Sequence, residues 1–127
     1  MAHVLIVDDA VDVCRATAAL LRMLGHRPDY VLSGPDALDY LRTAVPDLVV
    51  LDVMMPVMDG SDVLRAVRAD PATAAVPVAI HSARNDPRLR DEMLALGAND
   101  YWVKGWLEAD EVERRIGKLL AAPLASR

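Results

Sequence analysis

Asp47-Leu-Val-Val-Leu-Asp52-Val-Met-Met-Pro-Val-Met-Asp-Gly60 is the stretch that decides how this chain folds. Four apolar residues, Leu48 to Leu51, run without alternation into the carboxylate of Asp52. An unbroken run of this kind reads as a strand covered on both faces, the habit of a parallel sheet. Asp52 then stands at the carboxyl end of a buried strand, the rim where open α/β sheets bind ligands. Met54-Met-Pro56 blocks an immediate helix, and Asp59-Gly60 reads as a turn.

Outward from that stretch, the same alternation repeats. His3 to Val7 is a short apolar strand that ends in Asp8-Asp9. From Ala10 to Leu24, Val13, Thr17, Leu20 and Leu24 recur at helical spacing, with Gly25 suited to the C′ position. Pro28 to Leu32 is a weaker strand suited to an edge. Ser33 is placed to cap a helix that runs through Arg42, with Pro35 in its first turn. After the central strand, a helix is predicted from about Ser61 to Ala69. A loop from Asp70 to Pro77 leads to the strand Val78–Ser82. Pro87 to Leu96 reads as a helix with Leu89, Met93 and Leu96 inward and Gly97 ending it. Asn99 to Val103 is the last strand, and Leu107 to about Leu120 the last helix. That helix begins acidic and ends basic, as the macrodipole favours, and Asp110/Arg114 and Glu111/Arg115 are spaced as i,i+4 pairs. Pro123 and a short tail follow.

Strand–helix alternation throughout predicts an α/β fold: a doubly wound five-stranded parallel sheet in the order 2-1-3-4-5, flavodoxin-like, with five helices. At 127 residues the chain reads as a single domain, residues 1–127 with its core at about 3–121. A hydrophobic content of 54% supports a packed core rather than disorder. The net charge of -5 argues against nucleic-acid binding. The single Cys14 excludes an internal disulfide and reads as a core residue on a helix. With no leader pattern and no long apolar run, the expectation is a cytoplasmic protein without membrane contact.

The predicted strand order brings Asp8, Asp9 and Asp52 to one rim, with Ser82 and Lys104 at the ends of neighbouring strands. Carboxylates within about 5 Å of one another repel by roughly 3 kcal/mol per pair at an effective dielectric near 20. Such a cluster must take up protons or hold a cation. Oxygen ligands without histidine or thiolate favour Mg²⁺, with Mn²⁺ possible. A site of that kind can receive a phosphoryl group on Asp52, its oxygens neutralised by the metal and a lysine and hydrogen-bonded by a hydroxyl.

The acidic pair after the first strand, the Asp-x-Met-Met-Pro-x-Met-Asp-Gly segment, Ser82-Ala83 and the Tyr101-x-x-Lys104 spacing together resemble the receiver domain of two-component response regulators. The likeness spans nearly the whole chain. It implies that Asp52 is the phosphorylation site. Asp9 would bind Mg²⁺ directly, Asp8 directly or through water, and the main-chain carbonyl of Met54 would add a ligand. Ser82 would hydrogen-bond the phosphoryl group and Lys104 would pair with it. Tyr101 would be an aromatic switch that follows Ser82 inward. The donor would be a phosphohistidine on a histidine kinase or histidine phosphotransfer protein. The readout face for a downstream protein would be the fourth helix, fifth strand and fifth helix. Catalysis would extend only to the domain's own phosphorylation and dephosphorylation.

Two departures from the family pattern carry expectations. Gly105 stands where the family has proline, which predicts a trans Lys104–Gly105 bond and a looser loop before the last helix. Met54 and Arg84 occupy positions that tune dephosphorylation, and neither is an acid or amide able to orient water, which predicts a long-lived phosphoaspartate. Trp102 and Trp106 read as packing groups, Met54, Met55 and Met58 as loop packing, and His81 as a hydrogen-bonded structural histidine. The rival readings are a receiver fragment of a larger regulator or hybrid kinase and, from another class, an aspartate-nucleophile phosphatase. The phosphatase pattern needs Asp-x-Asp after the first strand, and Asp8-Asp9-Ala10 lacks it. No glycine-rich loop suggests a nucleotide or flavin site.

Overall fold

A computed structural model describes residues 1–121, so the tail with Pro123 lies outside the described residues. The elements are β1 (His3–Val7), α1 (Val11–Met23), β2 (Arg27–Val31), α2 (Gly34–Thr43), β3 (Leu48–Leu51), α3 (Gly60–Ala69), β4 (Val78–Ser82), α4 (Pro87–Ala95), β5 (Asp100–Val103) and α5 (Ala109–Ala121). Every pairing in the sheet is parallel and the strand order is β2-β1-β3-β4-β5, as the strand–helix alternation predicted. Among the described residues no helix is long and apolar enough to cross a membrane.

Alternation along each strand feeds two cores. Leu5, Val7, Val49 and Leu51 pack under α2, α3 and α4, while Val4, Ile6, Leu48 and Val50 pack under α1 and α5. All of β3 is buried, because each of its side chains has a helical layer to enter. Burial of such a side chain contributes about 1.5–3 kcal/mol. β2 is one of the two edge strands, where Pro28 leaves no central ladder bond unmade.

Helix ends follow local chemistry. Ser33 Oγ accepts from the Asp36 N–H at 3.2 Å, and Asp86 caps α4 ahead of Pro87. Asp59 and Asp62 form a reciprocal capping box on α3, so the segment read as a turn also starts the helix. Gly25 and Gly97 both adopt positive φ at helix ends. Leu89 and Leu96 are half-buried around the buried Met93. In α1 the fully buried stripe is Cys14, Ala18 and Leu21, one position on from the periodic set Val13, Thr17 and Leu20. In α5, Glu111 pairs with both Arg114 and Arg115. The expected Asp110/Arg114 pair is not made, because Glu111 lies one turn from both arginines and Asp110 turns to the Glu111 N–H.

Val57 is the one described non-glycine residue at positive φ, +69°, and it is fully exposed. A β-branched side chain in that region is strained by roughly 1–2 kcal/mol. Val57→Gly is therefore expected to raise stability by about 1 kcal/mol, read as a higher urea midpoint with unchanged slope. An unchanged or lower midpoint would show that the loop holds no such strain.

Candidate functional site

The register Val7↔Leu51 between β1 and β3 sets the two following carboxylates side by side. The Asp52 N–H donates to the Val7 carbonyl at 2.8 Å, which fixes the phase of the two strand ends. Oxygens of Asp8, Asp9 and Asp52 lie within 4.8 Å of one another. Asp8 and Asp52 are buried and Asp9 is exposed at the mouth. Asp9 does not cap α1: the N-cap is Ala10, without a side-chain bond, and Asp8 Oδ1 accepts the Ala10 N–H at 2.9 Å. Its carboxylate is left to the cluster.

Lys104 reaches this cluster from the end of β5. Its Nζ lies 2.7 Å from Asp8 Oδ2 and 3.4 Å from Asp52 Oδ1. Burial, and then the charge of Asp8, push the Asp52 carboxyl above its ordinary range despite Lys104. Burial alone would pull Lys104 down, but its contacts with Asp8 and Asp52 outweigh that and hold the ammonium above its ordinary value. One ammonium faces three carboxylates, so the ionised cluster carries excess negative charge. The donor set is all oxygen, which suits a hard divalent cation and no soft one.

Ser82 is buried at the end of β4, level with Val103. Its carbonyl accepts the Lys104 N–H at 2.7 Å, and its Oγ accepts the Arg84 N–H at 3.1 Å. Tyr101 faces the opposite core, buried, with its hydroxyl donating to the Arg84 carbonyl at 2.7 Å. Ser82 and Tyr101 therefore hold the same β4–α4 loop from two sides. In the β3–α3 loop, the Met55 and Gly60 N–H groups both go to the Val53 carbonyl and that of Met58 to Pro56. Among the described residues none of these bonds uses the Met54 carbonyl.

The structure corrects several sequence expectations. Trp102 is a packing group, but Trp106 is 65% exposed. It sits in the loop after Lys104, where α5 begins only at Ala109 and no element covers it. Met55 packs and Met58 rests on Gly34, whereas Met54 points to solvent. The His81 ring finds no hydrogen-bond partner among the described residues, and its Nδ1 is buried. Burial lowers its pKa to about 4, so the ring is neutral at pH 7. Cys14 is buried as expected, with its thiol pushed up to about 11 by burial and by Asp8. The described residues contain no cis peptide, so Lys104–Gly105 is trans, and Gly105 sits at φ +79° in the lengthened loop.

One site residue had only a faint sequence signal. A Cβ on Gly60 would lie 2.3 Å from the Asp52 carbonyl oxygen and 2.7 Å from Val53 Cα. Asp59-Gly60 reads as a turn, but only the fold shows α3 starting against the backbone of Asp52.

Comparison with known proteins agrees with this geometry. A sequence profile described as "response regulator receiver domain" matches residues 4–116. The chain is 40% identical over 112 residues to the transcriptional regulatory protein PrrA of Mycobacterium leprae, covering 88% of this chain and 47% of that protein. It is 36% identical over 118 residues to a gliding motility regulatory protein of Myxococcus xanthus, covering 92% of this chain and 15% of that protein. It thus spans less than half the length of either relative. Among solved structures, the chemotaxis protein CheY4 of Vibrio cholerae superposes with a TM-score of 0.87 at 28% identity, over 94% of this chain and 99% of that one. The receiver domain of the Francisella response regulator 1452 gives 0.84 at 28% identity, over 94% and 97%. With the profile covering most of its length and the acidic rim in place, the chain belongs to the response regulator receiver domain family.

Proposed function

We propose that Asp52 accepts a phosphoryl group from a phosphohistidine on a histidine kinase or histidine phosphotransfer protein. A carboxylate oxygen of Asp52 attacks phosphorus; the O–P bond forms as the N–P bond breaks, and the imidazole leaves with the electron pair. The observation that carries this reading is the cluster of buried Asp8 and Asp52 with exposed Asp9, and Lys104 between the two buried members.

Each residue has a role its position supports. Asp8, Asp9, Asp52 and the Met54 carbonyl would hold Mg²⁺, or Mn²⁺, which supplies charge neutralisation for the phosphoryl oxygens when bound. Lys104 leaves Asp8 to pair with the phosphoryl group, and the Ser82 hydroxyl turns to donate to it. Rotation of Ser82 gives up the Arg84 N–H, and Tyr101 holds the Arg84 carbonyl. That pair of bonds links the rim to the β4–α4 loop and to the face formed by α4, β5 and α5, where a downstream protein would read the state.

The decisive experiment is incubation with phosphoramidate and Mg²⁺, followed by intact-mass and peptide mass spectrometry. One phosphoryl adduct on Asp52 is expected, absent in Asp52→Asn and lost when EDTA removes the metal. An adduct that survives in Asp52→Asn, or forms equally without divalent metal, would refute the assignment. Turnover of p-nitrophenyl phosphate would instead favour the phosphatase reading.

The acyl phosphate is expected to be long-lived. Met54 and Arg84 are both exposed at the mouth, and neither accepts a proton from water. Met54→Asn and Arg84→Glu should speed decay, on the order of tenfold, followed as loss of the adduct after gel filtration. Slower decay in either variant would contradict the idea.

A further inference from the structure

A groove of about 270 Å³ lies between α1 and α5 on the face away from Tyr101. Its walls include Val13, Thr17 and Leu20 of α1, with Leu107 from the segment before α5. Its floor includes His81 of β4 and Trp102 of β5, whose rings meet edge-on with centroids 6.4 Å apart. The periodic stripe of α1 picked out from the sequence is this wall, left half-covered while the adjacent stripe fills the core. Gly105 also lines the groove, and a Cβ there would meet nothing within 4 Å. Among the described residues beyond its two chain neighbours, no atom fills that space.

His81 gives the groove a chemical preference. Its Nδ1 is sealed from solvent without a partner, and among the described residues nothing hydrogen-bonds to its ring. A sealed orphan N–H is costlier than an orphan lone pair. The proton therefore belongs on Nε2, and the ring presents a neutral polar edge amid apolar walls. Among the described residues the one cation lining the groove, Lys104, is already engaged by Asp8 and Asp52. Nothing there repays the desolvation of a charged ligand. Concave, mostly apolar walls with one orienting polar group are the make-up of a small-molecule site.

We propose that this groove binds small neutral aromatic molecules carrying one hydroxyl, the ring lying against Trp102 and Leu20 and the hydroxyl oxygen accepting from the imidazole of His81. A hydroxyl suits either imidazole tautomer, since it donates as well as accepts.

The test is titration of the ¹⁵N-labelled chain with p-cresol and, in parallel, with toluene, which has the same ring and no hydroxyl. Saturable amide shifts are expected at Thr17, Leu20, Trp102 and Leu107, with Kd for p-cresol on the order of 0.1–1 mM. The preference for p-cresol over toluene should be about fivefold to tenfold, the worth of one hydrogen bond. In His81→Phe that preference should vanish while toluene still binds, as a double-mutant cycle requires. If His81→Phe does not fold, Thr17→Trp fills the groove and should abolish both titrations. Binding should persist in Asp52→Asn, so it stands apart from the phosphoacceptor assignment. No saturable shifts up to about 5 mM, shifts confined to another surface, loss of binding in Asp52→Asn, or equal affinity for both ligands in the wild-type chain would each overturn the proposal.

Discussion

Gly60→Ala is expected to destabilise the domain by about 2–4 kcal/mol and to slow the proposed phosphorylation of Asp52 on the order of a hundredfold. Two effects oppose each other. Alanine is the better helix former by about 1 kcal/mol, and Gly60 is the first residue of α3. Against that, the new methyl would meet the Asp52 carbonyl oxygen at 2.3 Å, with Val53 Cα at 2.7 Å. Those are backbone atoms, which cannot step aside as a flexible side chain does. The Gly60 N–H also donates to the Val53 carbonyl at 2.8 Å, so moving α3 outward loses that bond. The clash wins. Relief comes by pushing back the loop that carries Asp52, and a displacement near 1 Å in a reacting group costs about 10²-fold. Urea unfolding and the rate of phosphoramidate incorporation measure the two parts separately. A variant of wild-type stability and full rate would show that the α3 start does not position Asp52.

The second large effect lies at the other end of the sheet. Arg68, near the end of α3, donates from Nε and Nη2 to the Gly97 carbonyl at 3.0 and 2.8 Å. Its Nη1 donates to the Ala74 and Val76 carbonyls at 3.1 and 2.6 Å, and Nη2 also reaches Asn99 Oδ1 at 2.8 Å. Asn99 Oδ1 in turn accepts the Val78 N–H at 2.8 Å. One guanidinium thus ties α3 to the chain entering β4 and to the α4–β5 turn. Among the described residues no carboxylate pairs with it, and burial pulls its pKa down. Arg68→Met is expected to cost about 3–5 kcal/mol, because several partly buried carbonyls lose a charged donor. Out of a typical total of about 5–15 kcal/mol that is a large share. Arg68→Lys should recover little of it, since an ammonium cannot span carbonyls that a planar fork holds. The folded fraction should still phosphorylate at the wild-type rate, Arg68 being remote from the rim. A loss under 1 kcal/mol in either variant would refute this role.

Much of the fold was legible locally. The unbroken Leu48–Leu51 run, the alternation of strand and helix signals, and Gly25, Ser33 and Gly97 at helix ends each act within a few residues. The acidic rim was legible for a related reason. Parallel strands with right-handed crossovers leave few orders, and any order pairing β1 with β3 brings Asp8 near Asp52. Tyr101 was placed on its strand, but its bond to the Arg84 carbonyl was not visible from spacing.

What escaped the sequence is what depends on which neighbour fills a space. Periodicity marks an apolar face on α1 but does not tell Cys14, Ala18 and Leu21 from Val13, Thr17 and Leu20, one position apart. Only the packing of α1 against the sheet decides that the first set is core and the second a groove wall. Trp106 is an apolar side chain suited to a core, and it is exposed because it sits in the loop before α5, which begins only at Ala109. His81 has every means to hydrogen-bond, and its position between Trp102 and the α1 layer offers its ring no partner among the described residues. The chain's own pattern therefore determined strand order, rim and acidic cluster, since those follow from residues acting on near neighbours. The tertiary structure alone decided Gly60's contact, Arg68's hub and the open groove, since each joins atoms whose distance no local pattern encodes.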